Sequence, residues 1–163
     1  MARVDDSRED RSAGRRAARW WLLLLPLAYL LHLAEEWWGG PGFAVWTERA
    51  VGRAVSTTRF LVLNGVVWPL AAALTLAAIR RPAFGWFIAT FATVVVVNAA
   101  LHLLGTLATA SYSPGLVTAL LLYLPVGVAA LRSARASLPA ERFALAVALG
   151  FLAHGAVAVI AFW

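Results

Sequence analysis

Long uninterrupted apolar stretches leave this chain few possible folds. Five of them approach the ~20 residues that a helix needs to cross a bilayer, and they run over 20–38, 60–79, 84–107, 114–131 and 143–163. The fourth is the shortest. Only 13% of the 163 residues are charged, about half the usual share. Because backbone polar groups in lipid must bond within their own segment, the sequence predicts an all-α integral membrane bundle of five transmembrane helices, over residues 19–163.

Arginine clusters mark alternate ends of these stretches, before the first, at 80 and 81, and within 132–142. The positive-inside rule therefore predicts a cytoplasmic N-terminus, an outside C-terminus and a multi-pass protein of the cytoplasmic (inner) membrane. The Arg-rich residues 1–18 are predicted to form a disordered cytoplasmic tail. The net charge of +6 does not indicate nucleic acid, because the arginines do not gather on one face.

Local signals refine the ends of the spans. Trp37 and Trp38 are typical of an interfacial aromatic belt. The segment 39–59 is predicted to be a loop. Ser113 is predicted to cap the fourth span, with Pro114 at its first helical position.

Five ionisable residues lie within or at the end of these stretches, namely His32, Glu35, Glu36, His102 and His154. Such groups cost a few kcal/mol each in hydrocarbon, so they indicate a functional site. Counting along each span places them all in the outer half of the bilayer. Residues three and four apart share a helix face, which groups Tyr29 and His32 with the two glutamates, and Asn98 with His102.

The chain has no cysteine, so a metal would have to use imidazole and carboxylate. The predicted ligands of one divalent ion, zinc or iron, are His32, Glu36, His102 and His154. The predicted catalytic residues are Glu35, Glu36 and His32, and the predicted supporting residues are Asn64, Asn98 and Tyr29.

The segment His32-Leu-Ala-Glu35-Glu36 at the end of the first span resembles the motif of the HXXEE family of bacterial membrane proteins, whose function is uncharacterised. Asn98-Ala-Ala-Leu-His102 and Tyr112-Ser-Pro-Gly115 are also similar to segments of that family. The resemblance covers about residues 18–163. It implies His32, Glu35 and Glu36 as functional positions but supplies no reaction.

Three functions stay open at this point. The first is an intramembrane metal-dependent enzyme, a hydrolase or oxygenase, acting on a lipid-like or extracytoplasmic substrate. The second is a metal-free Glu/His acid–base isomerase or cyclase of a lipid or isoprenoid. The third is a transporter or structural subunit, such as a homo-oligomer, in which these residues relay protons or fix packing. A serine hydrolase is disfavoured, because no serine lies within a span near a histidine.

Overall fold

A computed structural model describes residues 19–162, and within that range every regular element is helical. The predicted tail over 1–18 lies outside the described residues. Six helices follow in order: α1 (Leu24–Trp38) after a 3₁₀ turn (Trp20–Leu23), α2 (Phe43–Val51), α3 (Thr57–Arg80), α4 (Gly85–Thr109) after a 3₁₀ turn (Pro82–Phe84), α5 (Leu116–Ser137) and α6 (Ala140–Phe162).

Four of these helices are long and apolar enough to cross a membrane: α3, α4 with its 3₁₀ turn, α5 and α6. The all-α prediction and the membrane class are therefore confirmed. The first predicted span is shorter, because α1 has 15 residues and its 3₁₀ turn adds 4, so the structure shows four membrane-capable helices where the sequence predicts five. The stretch that was shortest in the sequence becomes a helix of 22 residues.

α4 lies at the centre of the bundle, where it packs against α3, α5 and α6. Its buried residues are mostly small, such as Ala89, Ala92 and Ala99. At Gly150 of α6, an added Cβ would lie 2.5 Å from Thr93 Cβ. Small residues allow helices to approach this closely in a membrane bundle.

Large apolar side chains cover the outer faces of the helices. Leu27 of α1 is 50% exposed, Val66 of α3 is 62% exposed and Leu152 of α6 is 70% exposed. Apolar surface of this extent is what lipid would cover. α1 shares the pattern despite its shorter length.

The segment predicted to be a loop contains a helix, α2. Two glycines in backbone conformations that favour glycine delimit it, Gly42 at φ 79° before it and Gly52 at φ 71° after it. Phe43, Trp46 and Thr47 share one face. That face turns toward the bundle, because Trp46 donates to Ser111 Oγ at 3.1 Å. The loop prediction was therefore wrong for this segment. The two flanking glycines were the sequence signal for a short helix between them.

The functional side chains gather at one end of the bundle, which we call the site end. It contains the C-terminal turn of α1, helix α2, the start of α3 and the connection from α4 to α5. The opposite end brings Arg19, Gly85 and Leu138 together. Within α5, a π-helical turn over Ala119–Tyr123 precedes Pro125, whose missing N–H breaks the regular helical pattern. Such turns are frequent at functional sites.

Candidate metal centre

Three of the predicted ligands converge at the site end. His32 and Glu36 lie one turn apart on α1, and His102 reaches them from α4. One ligand atom from each lies within 4.8 Å of the other two. The side chains are buried, with exposed fractions of 1% for His32, 7% for Glu36 and 4% for His102. The site therefore holds three metal-capable groups away from bulk solvent.

Both imidazoles direct Nε2 at the same carboxylate oxygen. The distance to Glu36 Oε1 is 3.5 Å from His32 Nε2 and 3.4 Å from His102 Nε2. In a tetrahedral zinc site with bonds of about 2.0–2.2 Å, neighbouring ligand atoms lie about 3.3–3.6 Å apart. These two separations fall within that range, whereas the three ligand atoms together lie within 4.8 Å of one another. Both separations are too long for good N–H···O hydrogen bonds.

Each imidazole is held by a hydroxyl on its other nitrogen. His32 Nδ1 lies 2.9 Å from Thr118 Oγ1, and His102 Nδ1 lies 2.9 Å from Ser113 Oγ. Metal-ligating histidines almost always use their second nitrogen in this way, which fixes the ring orientation. Ser113 lies in the connection from α4 to α5, beside the predicted span rather than within it, and it bonds His102. It is fully buried, and its hydroxyl can orient the His102 ring.

The hydrogen bonds of Thr118 determine which nitrogen of His32 carries the proton. Its hydroxyl lies 2.5 Å from Glu35 Oε2 and 3.2 Å from the carbonyl of Gly115. A carboxylate and a carbonyl only accept, so the single hydroxyl proton goes to one of them. Thr118 Oγ1 must then accept from His32 Nδ1–H. In the neutral ring, His32 Nε2 therefore presents its lone pair toward Glu36, which is the tautomer that a metal requires.

Glu35 faces away from the cluster and caps the start of α5. Its carboxylate accepts from the backbone N–H of Val117 at 2.9 Å and of Thr118 at 2.6 Å, and it also accepts from the Tyr112 hydroxyl. These N–H groups belong to the first turn of a helix, where they lack partners within the helix. Glu35, one of the three residues predicted to be catalytic, is thus engaged in contacts that hold the start of α5.

The start of α5 differs from the prediction. The helix begins at Leu116 with Gly115 as its N-cap residue, so Pro114 precedes it and Ser113 is not its cap. Ser113 bonds His102 instead, and Glu35 supplies the cap from another helix. A local sequence pattern cannot reveal a cap whose carboxylate lies 82 and 83 residues before the N–H groups that it accepts from.

The two imidazole rings are closely packed by neighbouring residues. A Cβ at Gly115 would lie 2.7 Å from Cε1 of both His32 and His102, and its φ of 102° favours glycine. Tyr123 stacks on His32 with ring centroids 4.2 Å apart. Phe43 lies 5.5 Å from the His102 ring. The two rings are therefore held in place before any ligand binds.

The remaining predicted residues lie outside the three-residue cluster. Among residues 19–162, His154 is not part of this or another metal-capable group. Tyr29 donates to Asn64 Oδ1 at 2.6 Å, and the Asn64 amide donates to the Phe60 carbonyl at 2.8 Å, so this pair links α1 to α3. Asn98 has a buried Oδ1 without a hydrogen-bond partner in the described part of the chain.

Comparison with known families agrees with the motif. The sequence model of one family, described as a protein of unknown function with HXXEE motif, matches residues 23–130, about two thirds of the chain. The chain belongs to this family. The resemblance inferred from the sequence is thereby confirmed, and the match includes all of the HXXEE motif, His102 and the start of α5. No curated protein and no solved structure matches the chain.

In structural terms, the HXXEE motif combines two tasks. His32 and Glu36 face the cluster, whereas Glu35 turns toward α5. Sequence reasoning missed Thr118, Ser113 and Gly115 as site residues, because ordinary residues of a turn and a helix start carry no local signal of contact with a histidine. The similarity of the segment Tyr112-Ser-Pro-Gly115 to the family pointed to part of this region.

Proposed function

We propose that this protein is an integral membrane metalloenzyme whose divalent cation is held by His32, Glu36 and His102. The observation that carries the proposal is the convergence of two imidazole Nε2 atoms on one buried carboxylate oxygen, at 3.4 and 3.5 Å. Within the described chain, His32 Nε2 has no hydrogen-bond partner. A buried lone pair facing a carboxylate is unfavourable, and a cation between them removes that cost.

The donor set favours a catalytic ion over a structural one. Two histidines and one glutamate are the protein ligands of several catalytic zinc sites, and the same set binds non-haem iron. Structural zinc sites usually have four protein ligands. With three ligands, a coordination position stays free for water or substrate, so the site can activate water or polarise a substrate oxygen.

The membrane arrangement that goes with this proposal has five spans. Trp20–Leu23 and α1 together extend about 30 Å at the rises of 3₁₀ and α-helices, which matches the hydrocarbon core. With five spans, the arginine pattern favours a cytoplasmic N-terminus. The site end would then lie on the outer side of the cytoplasmic membrane. A substrate would reach the site from the bilayer or from the outer side.

Metal-free acid–base catalysis is the second candidate, since two imidazoles beside one carboxylate could also share a proton. The contacts of Glu35 count against that residue as the base, because its carboxylate is already bonded to the start of α5. Glu36 would then have to act as the base. This candidate requires that full activity persist without a bound metal.

Elemental analysis of the detergent-purified protein tests the proposal. We expect about one zinc or iron per chain in the wild type, and its loss in His32→Ala, Glu36→Gln and His102→Ala. His154→Ala is the matched control, since it removes a histidine of the same bundle outside the cluster, and it should keep the metal.

Two results would contradict the proposal. One is a folded wild-type protein that takes up neither ion after loading with Zn²⁺ or with Fe²⁺ under anaerobic conditions. The other is metal loss in His154→Ala equal to that in His32→Ala at an unchanged melting temperature, which would restore the four-ligand set predicted from the sequence.

A further inference from the structure

A cleft of about 160 Å³ opens at the site end, and Glu36 is one of the residues that line it. It lies between the C-terminal turn of α1, the start of α2 and the start of α3, and its walls include Trp37, Phe43, Ala44 and Phe60. Glu36 is the single charged residue among those that line it. The walls of the cleft are therefore mostly apolar, and the cleft borders a proposed metal ligand.

The walls are fixed by aromatic contacts. Phe43 stacks on Trp46 at 6.1 Å and lies beside His102 at 5.5 Å, so the first turn of α2 covers the site. Trp46 is anchored against α4, where a Cβ at Gly105 would come within 2.7 Å of its ring. On the other wall, Trp37 stacks on Phe60 at 6.0 Å. The opening exists without a movement of α2.

Exposed aromatic and apolar side chains surround the mouth of the cleft. Trp37 is 41% exposed and Val45 is 39% exposed at the cleft, and the neighbouring Trp38 is 77% exposed. Exposed tryptophans at the end of a span are typical of the membrane interface. An amphiphile that entered beside these tryptophans from the bilayer would bring its polar end close to Glu36.

The volume limits what can occupy the cleft. Pockets that enclose a drug-sized ligand measure roughly 300–1,000 Å³, so 160 Å³ suits one narrow chain segment rather than a ring system. We propose that this cleft binds the polar end and adjoining methylenes of a single-chain lipid amphiphile, such as a long-chain fatty acid, and presents its oxygen atoms to the metal centre. This proposal rests on the proposed function, because the metal would receive the oxygen.

Photolabelling in vesicles tests the proposal. The metal-loaded protein is reconstituted in phosphatidylcholine and phosphatidylglycerol, together with a long-chain fatty acid that carries a diazirine beside its carboxyl end. We expect the label, mapped by mass spectrometry, to concentrate on the peptide containing Trp37–Val45 and on Phe60. Ala44→Trp fills the cleft and should lose this labelling. Val51→Trp is the matched control on the same helix, at a position 64% exposed outside the cleft, and should keep it.

Competition provides a second measurement that does not depend on how a variant folds. Unlabelled long-chain fatty acid should suppress labelling of the wild type, and acetate at the same concentration should not, because acetate lacks the chain. Equal competition by acetate, or unchanged labelling in Ala44→Trp, would overturn the proposal. Labelling spread evenly over all lipid-facing helices would also overturn it.

Metal content measured on the same samples separates this inference from the metal centre. Bound metal without labelling of the cleft rejects the lipid site and leaves the metal centre standing. Labelling of the cleft in a protein that binds no metal rejects the metal centre, and with it the presentation of oxygen to an ion.

Discussion

Removing the Thr118 hydroxyl should weaken metal binding although Thr118 is not a ligand. Thr118→Val keeps the shape of the side chain but deletes the acceptor for His32 Nδ1–H at 2.9 Å and the donor to Glu35 at 2.5 Å. Loss of such an outer partner typically lowers metal affinity 10–100-fold, which is about 1.4–2.7 kcal/mol. Thr118→Ser restores the hydroxyl and should recover most of the affinity.

The assay is competition for Zn²⁺ between the purified protein and a chromophoric chelator, with thermal unfolding measured in parallel. Thr75→Val is the matched control, since Thr75 is a fully buried threonine outside the metal cluster whose hydroxyl donates to the Ala71 carbonyl, at 2.8 Å. It should change stability by about 1 kcal/mol and leave the affinity unchanged. Wild-type affinity in Thr118→Val would refute the assignment of the His32 tautomer.

Three other changes probe the surroundings of the site. Gly115→Ala should abolish metal binding, because its Cβ would lie 2.7 Å from both imidazoles; elemental analysis that finds full metal content would contradict this packing argument. Glu35→Gln should destabilise the fold by about 1–2 kcal/mol through the weakened cap of α5 and reduce metal affinity less than Glu36→Gln does, as thermal unfolding and chelator competition would show. Burial and the bond to Glu35 raise the pKa of Tyr112 to about 12. The protonated Tyr112 should therefore stabilise the fold fully below its ordinary pKa of about 10, and this stabilisation should disappear as pH rises through 12. In unfolding temperatures measured over a pH series, Tyr112→Phe should not show this loss of stability at alkaline pH.

The helices could be predicted from the sequence because the bilayer imposes a simple rule on length and polarity. That rule located α3, α4, α5 and α6 to within several residues. The same rule does not apply to α2, whose nine residues are too few to span a membrane. The position of α2 depends on the contact of Trp46 with the end of α4. Short interfacial helices depend on tertiary contacts, which periodicity does not encode.

The candidate site could be predicted in part for a similar reason. Ionisable residues in apolar stretches stand out, so His32, Glu36 and His102 were singled out, and counting along the spans put all of them in the outer half of the bilayer. The depth of a residue along a helix does not say which way its side chain faces around the helix axis. The sequence therefore could not show that His154 lies outside the cluster. The opposite roles of Glu35 and Glu36 were also beyond the sequence, because they depend on where α5 begins.

Adjacent residues on a helix point about 100° apart, and Glu35 and Glu36 use that angle to face two different neighbours. If α1 packed one residue out of register, each carboxylate would leave its own partners, and Glu36, which is 7% exposed, would lose the imidazoles that face it. Breaking one buried charge pair already costs about 3–5 kcal/mol. The adjacent glutamates thus favour the observed rotation of α1 over other rotations that its otherwise apolar surface would tolerate.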